Sequence, residues 1–205
     1  MITILTNADR ETNTHLFDQM FRGRARIFHE RLGWEVNVID GWEIDRYDDL
    51  DPVYLVSTDG GSRVLGSLRL LPTTGDTMLQ NEFKHYFDEP VDVRSPTTWE
   101  CTRFCVHPHD EVENLEHWRM AASELLTELC GLALKSGIEF IVGVYERPMA
   151  RIYKRIGWEP DLLARSKDPA RQLAVGVWEV SEQYLYRMRD LAHTQGFQSQ
   201  SNRFA

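Results

Sequence analysis

The chain has 205 residues, of which 42% are hydrophobic and 27% are charged, and its formal net charge is −9. This length allows one globular domain, which we expect over residues 1–192, with a flexible polar tail over 193–205. The negative charge argues against a nucleic-acid surface, because duplex binding needs clustered Lys and Arg. The sequence has neither a basic and apolar leader nor an apolar run of about 18 residues, so we expect a cytoplasmic protein without a membrane span.

The first predicted element is an amphipathic helix from Thr14 to about Leu32. Phe17, Phe21, Arg24 and Phe28 recur at spacings of four, three and four, which is the stripe of one helix face. The stripe therefore predicts that an arginine lies on the buried side of this helix.

An antiparallel hairpin follows the helix, because two β-rich runs, 53–57 and 63–71, flank a turn that contains two glycines. A short helix is expected near 79–87, and a third strand at 99–107. The later elements are a helix at 115–135, an apolar strand at 138–145 buried on both faces, a helix at 148–156, a strand at 174–180 and a helix at 182–192. This order predicts an α/β fold, a single-domain acetyltransferase-like α-β-α sandwich around a mixed, largely antiparallel twisted sheet.

Charged residues of both signs lie in apolar surroundings along this chain. Arg69 and the pair Glu100 and Arg103 stand within predicted strands, and residues 40–51 form the densest acidic stretch. A buried guanidinium is costly unless carboxylates meet it. Taken singly, each residue could be a solvated acid or an arginine that extends its charged end into water. Together they favour a polar cluster in a cleft.

These residues resemble the signature of the acyl-homoserine-lactone synthases, the quorum-sensing autoinducer family. The strings RARIFHERLGW, EIDRYD, RLLPTTG and WECTRF carry the resemblance over about residues 20–107, and it is looser to about residue 160. The matching positions, in order, are Arg24, Phe28, Trp34, Asp45, Asp48, Arg69, Phe83, Glu100 and Arg103. Many positions at fixed separations are stronger evidence than a single short motif.

The resemblance implies a two-step transfer. The amine of S-adenosylmethionine attacks an acyl thioester, and its carboxylate then closes a lactone and expels methylthioadenosine. No cofactor is implied, because S-adenosylmethionine is a substrate. Catalytic roles are implied for Glu100, Arg103, Arg24, Asp45, Asp48 and Arg69, with Glu100 as the candidate base. A free α-amine has a pKa of about 7.7 to 8.0, so only a modest base is required.

The same resemblance implies that a mixed-sign cluster and an aromatic cover bind S-adenosylmethionine. The implied residues are Phe28, Trp34, Arg24, Asp45, Phe83 and Arg103. An aromatic face suits a sulfonium cation, although Phe28 could equally be an ordinary core residue, an alternative that is weaker for Trp34. Since strand side chains alternate, Glu100 and Arg103 should point to opposite faces, and we predict a bulge near Thr102 that changes this.

An apolar pocket for the acyl chain is expected among the later strands and the long helix. Its predicted residues are Thr102, Phe104, Leu126, Val142 and Tyr145. Many relatives that select 3-oxo chains carry threonine where Tyr145 stands, so the resemblance implies a chain without that group.

The acyl donor is acyl carrier protein or acyl-coenzyme A by the same resemblance. The cations of one short helix, Arg147, Arg151, Lys154 and Arg155, would suit either the acidic carrier or the coenzyme phosphates. They could also be a solvated helix face. The sequence leaves the oligomeric state open.

Cys101, Cys105, His107 and His109 could suggest a metal site, but their spacing is not that of a zinc motif, so we expect none. Two other functions remain open. One is a conventional acetyl-coenzyme A N-acetyltransferase of the same fold, although the linker HPHDEVENLEHW lacks the glycines that hold pyrophosphate and carries four acids. The other is a non-catalytic regulator that binds a metabolite.

Overall fold

A computed structural model describes residues 1–107, 115–168 and 170–201. The strands are β1 (Ile2–Leu5), β2 (Val38–Ile39), β3 (Trp42–Glu43), β4 (Val53–Thr58), β5 (Val64–Pro72), β6 (Thr98–Val106), β7 (Phe140–Glu146), β8 (Asp161–Arg165) and β9 (Leu173–Glu179). The helices are α1 (Thr14–Arg24), which continues as a π-helix over Ala25–Arg31, α2 (Met78–Asn81), α3 (Leu115–Lys135), α4 (Ala150–Ile156) and α5 (Glu182–Ser201).

Seven strands form one mixed sheet in the order β1-β4-β5-β6-β7-β9-β8, and β2 pairs with β3 as a separate hairpin. The pairs β1–β4, β4–β5, β7–β9 and β8–β9 are antiparallel, whereas β6 and β7 are parallel. The predicted hairpin of β4 and β5 and the mixed, largely antiparallel sheet are therefore confirmed.

The chain contains two compact units, residues 1–71 with 101–126 and residues 72–100 with 127–205. In the first unit, α1 packs its apolar stripe on the hairpin. Phe17 and Phe21 are buried, and Phe17 meets the ring of Tyr54 edge-on with 5.6 Å between ring centroids. The core cluster is Leu5, Leu16, Phe17, Met20, Phe21, Tyr54, Val56 and Val64.

One glycine of α1 permits a close approach. A Cβ on Gly23 would lie 2.0 to 2.4 Å from ring atoms of His107, which is far inside van der Waals contact. His107 is itself buried. The absence of a side chain at Gly23 therefore allows the helix to lie against this imidazole.

The second unit is built on β7, β9 and β8, with segment 78–93 packed against them. Its apolar cluster consists of Leu79, Phe87, Val142, Leu173 and Val175, bordered by Phe83, Tyr86, Val91, Val93, Val144 and Ala164. Gly157 ends α4 with a left-handed φ of 93° and accommodates the side chains of Leu191 and Arg187, which a Cβ would meet at 2.7 and 3.3 Å.

Several sequence predictions need correction. The strands β1, β2, β3 and β8 were not expected, because each is short and none shows a clear alternation of apolar and polar residues. The strand β7 is buried on both faces only at 141–143, since Phe140 is 39% exposed and Val144 and Tyr145 are half-buried. The last helix does not end at 192 but continues to Ser201. The predicted division into a domain over 1–192 and a tail stays a prediction.

Among the helices that the structure describes, none has the length and apolar character needed to cross a bilayer.

Candidate active site

The helix stripe places Arg24 in the buried interior of the first unit. Its residue is 1% exposed, and its guanidinium contacts two carboxylates. Nε lies 2.5 Å from Oε2 of Glu43, while Nη1 and Nη2 each lie 2.9 Å from an oxygen of Asp48. The predicted buried arginine is confirmed in position, and both acids face it.

A tight turn orients two of the acids. Residues Arg46–Asp49 form a 3₁₀ turn in which Asp45 is the N-cap, and its Oδ1 accepts a bond of 2.9 Å from the amide of Tyr47. The carboxylate of Asp48 accepts in return from the amide of Asp45, also at 2.9 Å. This reciprocal capping box fixes both carboxylates relative to the backbone, so they are placed before any substrate arrives.

The two strand arginines reach the same acids. Arg69 on β5 donates to both oxygens of Asp45, at 2.6 and 3.0 Å, and to Oδ1 of Asp48 at 2.8 Å. Arg103 on β6 lies 2.8 Å from Oε1 of Glu43 and 2.9 Å from Oδ2 of Asp45. Each acid is therefore shared between two arginines.

The six side chains form a closed ring of alternating charge, which we call the charge ring. In order around it they are Arg24, Glu43, Arg103, Asp45, Arg69 and Asp48. Three guanidinium groups face three carboxylates, so the charges balance within the ring. This balance makes the burial of six ionised groups possible, because a buried charge is tolerated only with hydrogen-bonded partners.

The surroundings of Arg24 and Asp48 favour the ionised form of both side chains. Burial alone would lower the pKa of Arg24, but the charges of Asp48 and Glu43 outweigh it, and the pKa is raised. For Asp48 the signs are reversed: burial acts to raise the pKa, while Arg24 and Arg69 hold it well below its usual range. The phenol of Tyr54 donates to Asp48 at 2.8 Å, and burial beside that carboxylate raises the pKa of the phenol. Tyr54 therefore stays protonated and remains a hydrogen-bond donor.

Exposure around the ring is uneven. The side chain of Asp45 is 16% exposed and that of Arg103 is 6% exposed, whereas each of the other four is at most 1% exposed. A molecule from solvent can therefore reach the ring at Asp45 and Arg103 and not at Arg24 or Asp48.

The two aromatic residues expected as a cover for the sulfonium lie beside this open side. The rings of Phe28 and Trp34 pack with centroids 5.3 Å apart, and the guanidinium carbon of Arg103 lies 5.3 Å from the centroid of Phe28. Phe28 is buried and Trp34 is half-buried. Phe28 thus already contacts a protein cation, and Trp34 is the more accessible ring.

The predicted irregularity in β6 is present close to Thr102. Arg103 has a φ of 53°, in the left-handed region that residues with a side chain seldom adopt. Thr102 and Arg103 are consecutive buried residues, so the alternation of the strand changes there, as a bulge would cause. Thr102 accepts a bond of 3.0 Å from Nε of Arg69, which ties this irregular point to the charge ring.

Glu100 belongs to the second unit and engages α2. The residue is 1% exposed, and its two carboxylate oxygens accept from the backbone amides of Met78 and Leu79, at 2.9 and 2.7 Å. Sequence reasoning expected a base at this position and did not foresee these backbone contacts. Phe83, which follows α2, is half-buried at the edge of the apolar cluster.

The residues predicted for an acyl pocket have different surroundings. Val142 is fully buried in the apolar cluster of the second unit, and Val144 borders that cluster from the same face of β7. Tyr145 leaves β7 on the opposite face, where it packs edge-on against Tyr153 and Trp178 at 5.4 and 5.7 Å. The prediction that Val142 and Tyr145 line the same pocket is therefore wrong. The two residues are three positions apart, and side chains along a strand point alternately to its two faces.

The other three predicted pocket residues lie in the first unit. Thr102 bonds to Arg69 as described, Phe104 is half-buried on β6, and Leu126 is buried on α3. Thr102 therefore belongs with the charge ring rather than with an apolar lining.

The four cations proposed for carrier binding lie on the surface. Arg147, Arg151, Lys154 and Arg155 are all exposed, on α4 and the 3₁₀ turn before it. Lys154 reaches Glu159 at 4.0 Å.

All three cysteines are reduced thiols, and burial raises the pKa of Cys105 and of Cys130 to about 11. His109 lies outside the described residues. Within the part of the chain that is described, no group of three or more His, Cys, Asp and Glu side chains is arranged to hold a metal ion.

Glu43 is the functional residue that the sequence interpretation did not single out. It is 0% exposed and bridges Arg24 to Arg103, yet it stands on the two-residue strand β3 between Trp42 and Ile44. The available signal was its membership of the acidic stretch, within which nothing separates it from exposed acids such as Asp40 and Asp49.

Comparison with known proteins places the chain in a family. A family model described as autoinducer synthase matches residues 7–184. The chain belongs to the autoinducer synthase family. An acyl-homoserine-lactone synthase from Rhizobium etli is 56% identical over 182 residues, which covers 88% of this chain and 85% of that relative.

Solved structures agree with this assignment. A coenzyme A-dependent acyl-homoserine lactone synthase, BjaI, solved with SAM and isopentyl-CoA, has a TM-score of 0.80 at 26% identity, covering 94% of this chain and 89% of that one. An N-acetyltransferase structure from Lactobacillus plantarum has a TM-score of 0.53 at 14% identity, over 88% of this chain and 99% of that one. The second match concerns the fold alone, and the acetyltransferase-like architecture of this family member is confirmed.

Proposed function

We propose that this chain is an acyl-homoserine-lactone synthase that joins an acyl thioester to S-adenosylmethionine. The observation that carries the proposal is the charge ring, which balances its own charges and opens to solvent at Asp45 and Arg103. The family is one of acyltransferases, and the chain is an enzyme of that class.

The proposed reaction has two bond-forming steps. First the neutral α-amine of S-adenosylmethionine attacks the thioester carbon, an amide bond forms, and the thiolate leaves with the proton that the nitrogen loses. Then a carboxylate oxygen attacks the γ-carbon, the bond from that carbon to sulfur breaks, and the electron pair neutralises the sulfonium. The products are the acyl lactone, methylthioadenosine and the free thiol.

The open side of the ring suits the charges of this substrate. The carboxylate of Asp45 can attract the ammonium or sulfonium group, and the guanidinium of Arg103 can attract the substrate carboxylate. The indole face of Trp34, beside Phe28, can cover the sulfonium. Arg24, Glu43, Arg69 and Asp48 act one step further away, because they are buried and hold Asp45 and Arg103 in place.

For the acyl chain we propose the apolar cluster around Leu79, Phe83 and Val142 in the second unit, because a hydrocarbon chain is stabilised by apolar contacts. The donor is acyl carrier protein or acyl-coenzyme A, and the exposed cations of α4 support either. The expectation of a chain without a 3-oxo group came from Tyr145 in place of threonine and stays a prediction, although Tyr145 lies on the face of β7 opposite this cluster. No cofactor enters the proposed reaction, and we expect it to take place in the cytoplasm.

The direct test is product analysis. Purified protein is mixed with S-adenosylmethionine and a panel of acyl-carrier-protein and coenzyme A thioesters, with and without a 3-oxo group, and products are measured by mass spectrometry. We expect methylthioadenosine and acyl lactone in equal amounts. An acetylated amine without methylthioadenosine would instead indicate an ordinary N-acetyltransferase, and binding without any product would indicate a regulator.

A matched pair of variants tests the role of the open side. Asp45→Asn removes the exposed carboxylate of the ring, and we expect the KM for S-adenosylmethionine to rise by about 10- to 100-fold, since a charged hydrogen bond contributes about 1.5–3 kcal/mol. Asp49→Asn changes an exposed acid of the same turn and should leave this KM unchanged. If the KM for S-adenosylmethionine is the same in both variants, Asp45 does not bind this substrate.

A further inference from the structure

The carboxylate of Glu100 is directed at the first turn of α2. Its Oε2 accepts from the amide of Met78 and its Oε1 from the amide of Leu79. The first amides of a helix have no carbonyl partner inside the helix, so an outside acceptor is needed when they are buried. Thr77 supplies another, because its hydroxyl oxygen accepts from the amide of Gln80 at 3.3 Å. Glu100 and Thr77 together therefore cap this turn.

The short helix depends on such tertiary contacts. It has four residues, and a helix of that length is not stable by itself in water. Its residue Leu79 is 2% exposed and lies in the apolar cluster with Val142 and Leu173. Where Glu100 holds the amides of α2, it therefore also determines where Leu79 and the following Phe83 lie.

We infer that Glu100 is a positioning residue for the acyl-chain site and is not the base that removes the proton from the amine. The inference rests on the proposed function and on geometry: each carboxylate oxygen makes a short, charge-assisted bond to the backbone. If the carboxylate of Glu100 took up a proton, these bonds would weaken and α2 would be held less firmly. Since a useful fraction of a free α-amine is neutral near pH 7.5, the transfer does not require a strong base.

Two variants separate positioning from proton transfer. Glu100→Gln keeps one acceptor oxygen but turns an amide donor towards one of the two backbone N–H groups. Thr77→Val loosens the same turn without altering the carboxylate. If Glu100 positions α2, both variants raise the KM for a long-chain thioester by about 10-fold, which corresponds to about 1.4 kcal/mol, because each variant leaves a backbone N–H of this turn without its acceptor. The effect is smaller for a short-chain thioester, and the KM for S-adenosylmethionine does not change.

The pH profile of kcat gives an independent readout. A positioning residue leaves its shape as in the wild type when Glu100 is replaced by Gln. Three results together would overturn the inference. The Glu100→Gln protein would lose one limb of the pH profile, its kcat would fall equally for every chain length, and the Thr77→Val protein would behave as the wild type. If the Glu100→Gln protein does not fold, Thr77→Val alone decides through its dependence on chain length.

Amide hydrogen exchange of the wild-type protein tests the contact without any variant. The amides of Met78 and Leu79 should be protected, and exchange as fast as in an unfolded chain would contradict the positioning role. This measurement also separates the two proposals. Protection at these amides with no lactone from any thioester would refute the synthase function while leaving the cap intact.

Discussion

Arg24 and Asp48 form a bidentate ion pair, with Nη1–Oδ1 and Nη2–Oδ2 distances of 2.9 Å each. Because Arg24 also bonds to Glu43, its removal would leave two buried carboxylates short of a cation. The pair therefore links the integrity of the first unit to the chemistry proposed for the open side of the charge ring.

Replacing Arg24 by Ala should lower the free energy of unfolding by about 3–5 kcal/mol, the cost of breaking a buried ion pair by removing one partner. Arg22→Ala is the matched control on the same helix, since Arg22 pairs with Asp18 at the surface and such pairs contribute about 0–1 kcal/mol. Urea unfolding of both variants measures the difference. Similar losses for the two would mean that the ring does not stabilise the fold.

Stability should fall in acid, partly because of Asp48. Burial acts to raise the pKa of this carboxyl, but Arg24 and Arg69 outweigh burial and lower the pKa in the folded state. Asp48 therefore contributes stability that is complete above the ordinary aspartate pKa of about 3.9 and is lost as the pH falls below it. Urea unfolding between pH 7 and pH 3 should show a decline that is less steep in Asp48→Asn. The exposed neighbour, Asp49→Asn, should behave as the wild type, and an unchanged slope in Asp48→Asn would contradict the assignment.

Gly23 and Gly131 both lie in helices and should respond oppositely to alanine. At Gly23 the new Cβ would collide with the buried ring of His107, and we expect a loss of about 1–3 kcal/mol from overpacking. At Gly131 the Cβ would lie 3.8 Å from Leu185, an ordinary contact, and the better helix propensity of alanine should stabilise by about 0.5–1 kcal/mol.

Thermal unfolding distinguishes these two alanine variants. In the Gly23→Ala background, a second change of His107 to Ala should recover part of the loss, because it removes the colliding ring. Independent, additive effects of the two changes would show that the ring is not the obstacle.

The exposed cations of α4 should affect the donor and not the amine. Reversing charge at Arg151 and Arg155 to Glu should raise the KM for acyl carrier protein or acyl-coenzyme A thioesters at low salt, with a smaller effect at high salt. Arg189→Glu, at an exposed position of α5, is the control. Steady-state kinetics at two salt concentrations measure this effect. If the KM for the donor changes neither with the charge reversal nor with salt, the cations belong to a solvated helix face.

Long periodic patterns were readable in the sequence, and so was the charged site in outline. The spacing of Phe17, Phe21 and Arg24 predicted both a helix and the side on which its arginine is buried. The hairpin of β4 and β5 followed from β-rich runs around a glycine turn. A resemblance to a known family supplied the members of the charge ring other than Glu43.

What escaped prediction depends on contacts distant in the chain. Glu43 becomes distinctive only when Arg103, 60 positions later, reaches it. The backbone of Arg103 has a left-handed φ, and no residue type in WECTRF predicts such a conformation. The side chain of Arg103 is held by bonds to Glu43 and Asp45. The strand β8 has two adjacent leucines, at 162 and 163, and both are exposed. Its sequence therefore lacks the alternation of apolar and polar residues that predicts a strand. The side of β7 on which Tyr145 lies was misjudged because alternation was not applied to it.

Every member of the charge ring forms ion pairs with two other members. Its six positions should therefore tolerate almost no replacement, and this holds for any acyl chain that the product carries. A mutant library intended to redirect the enzyme to other acyl chains should therefore leave those codons untouched. Diversity belongs instead at Leu79, Phe83, Val142 and Val144, which lie in or against one apolar cluster, where a lost methylene can be compensated by a neighbour.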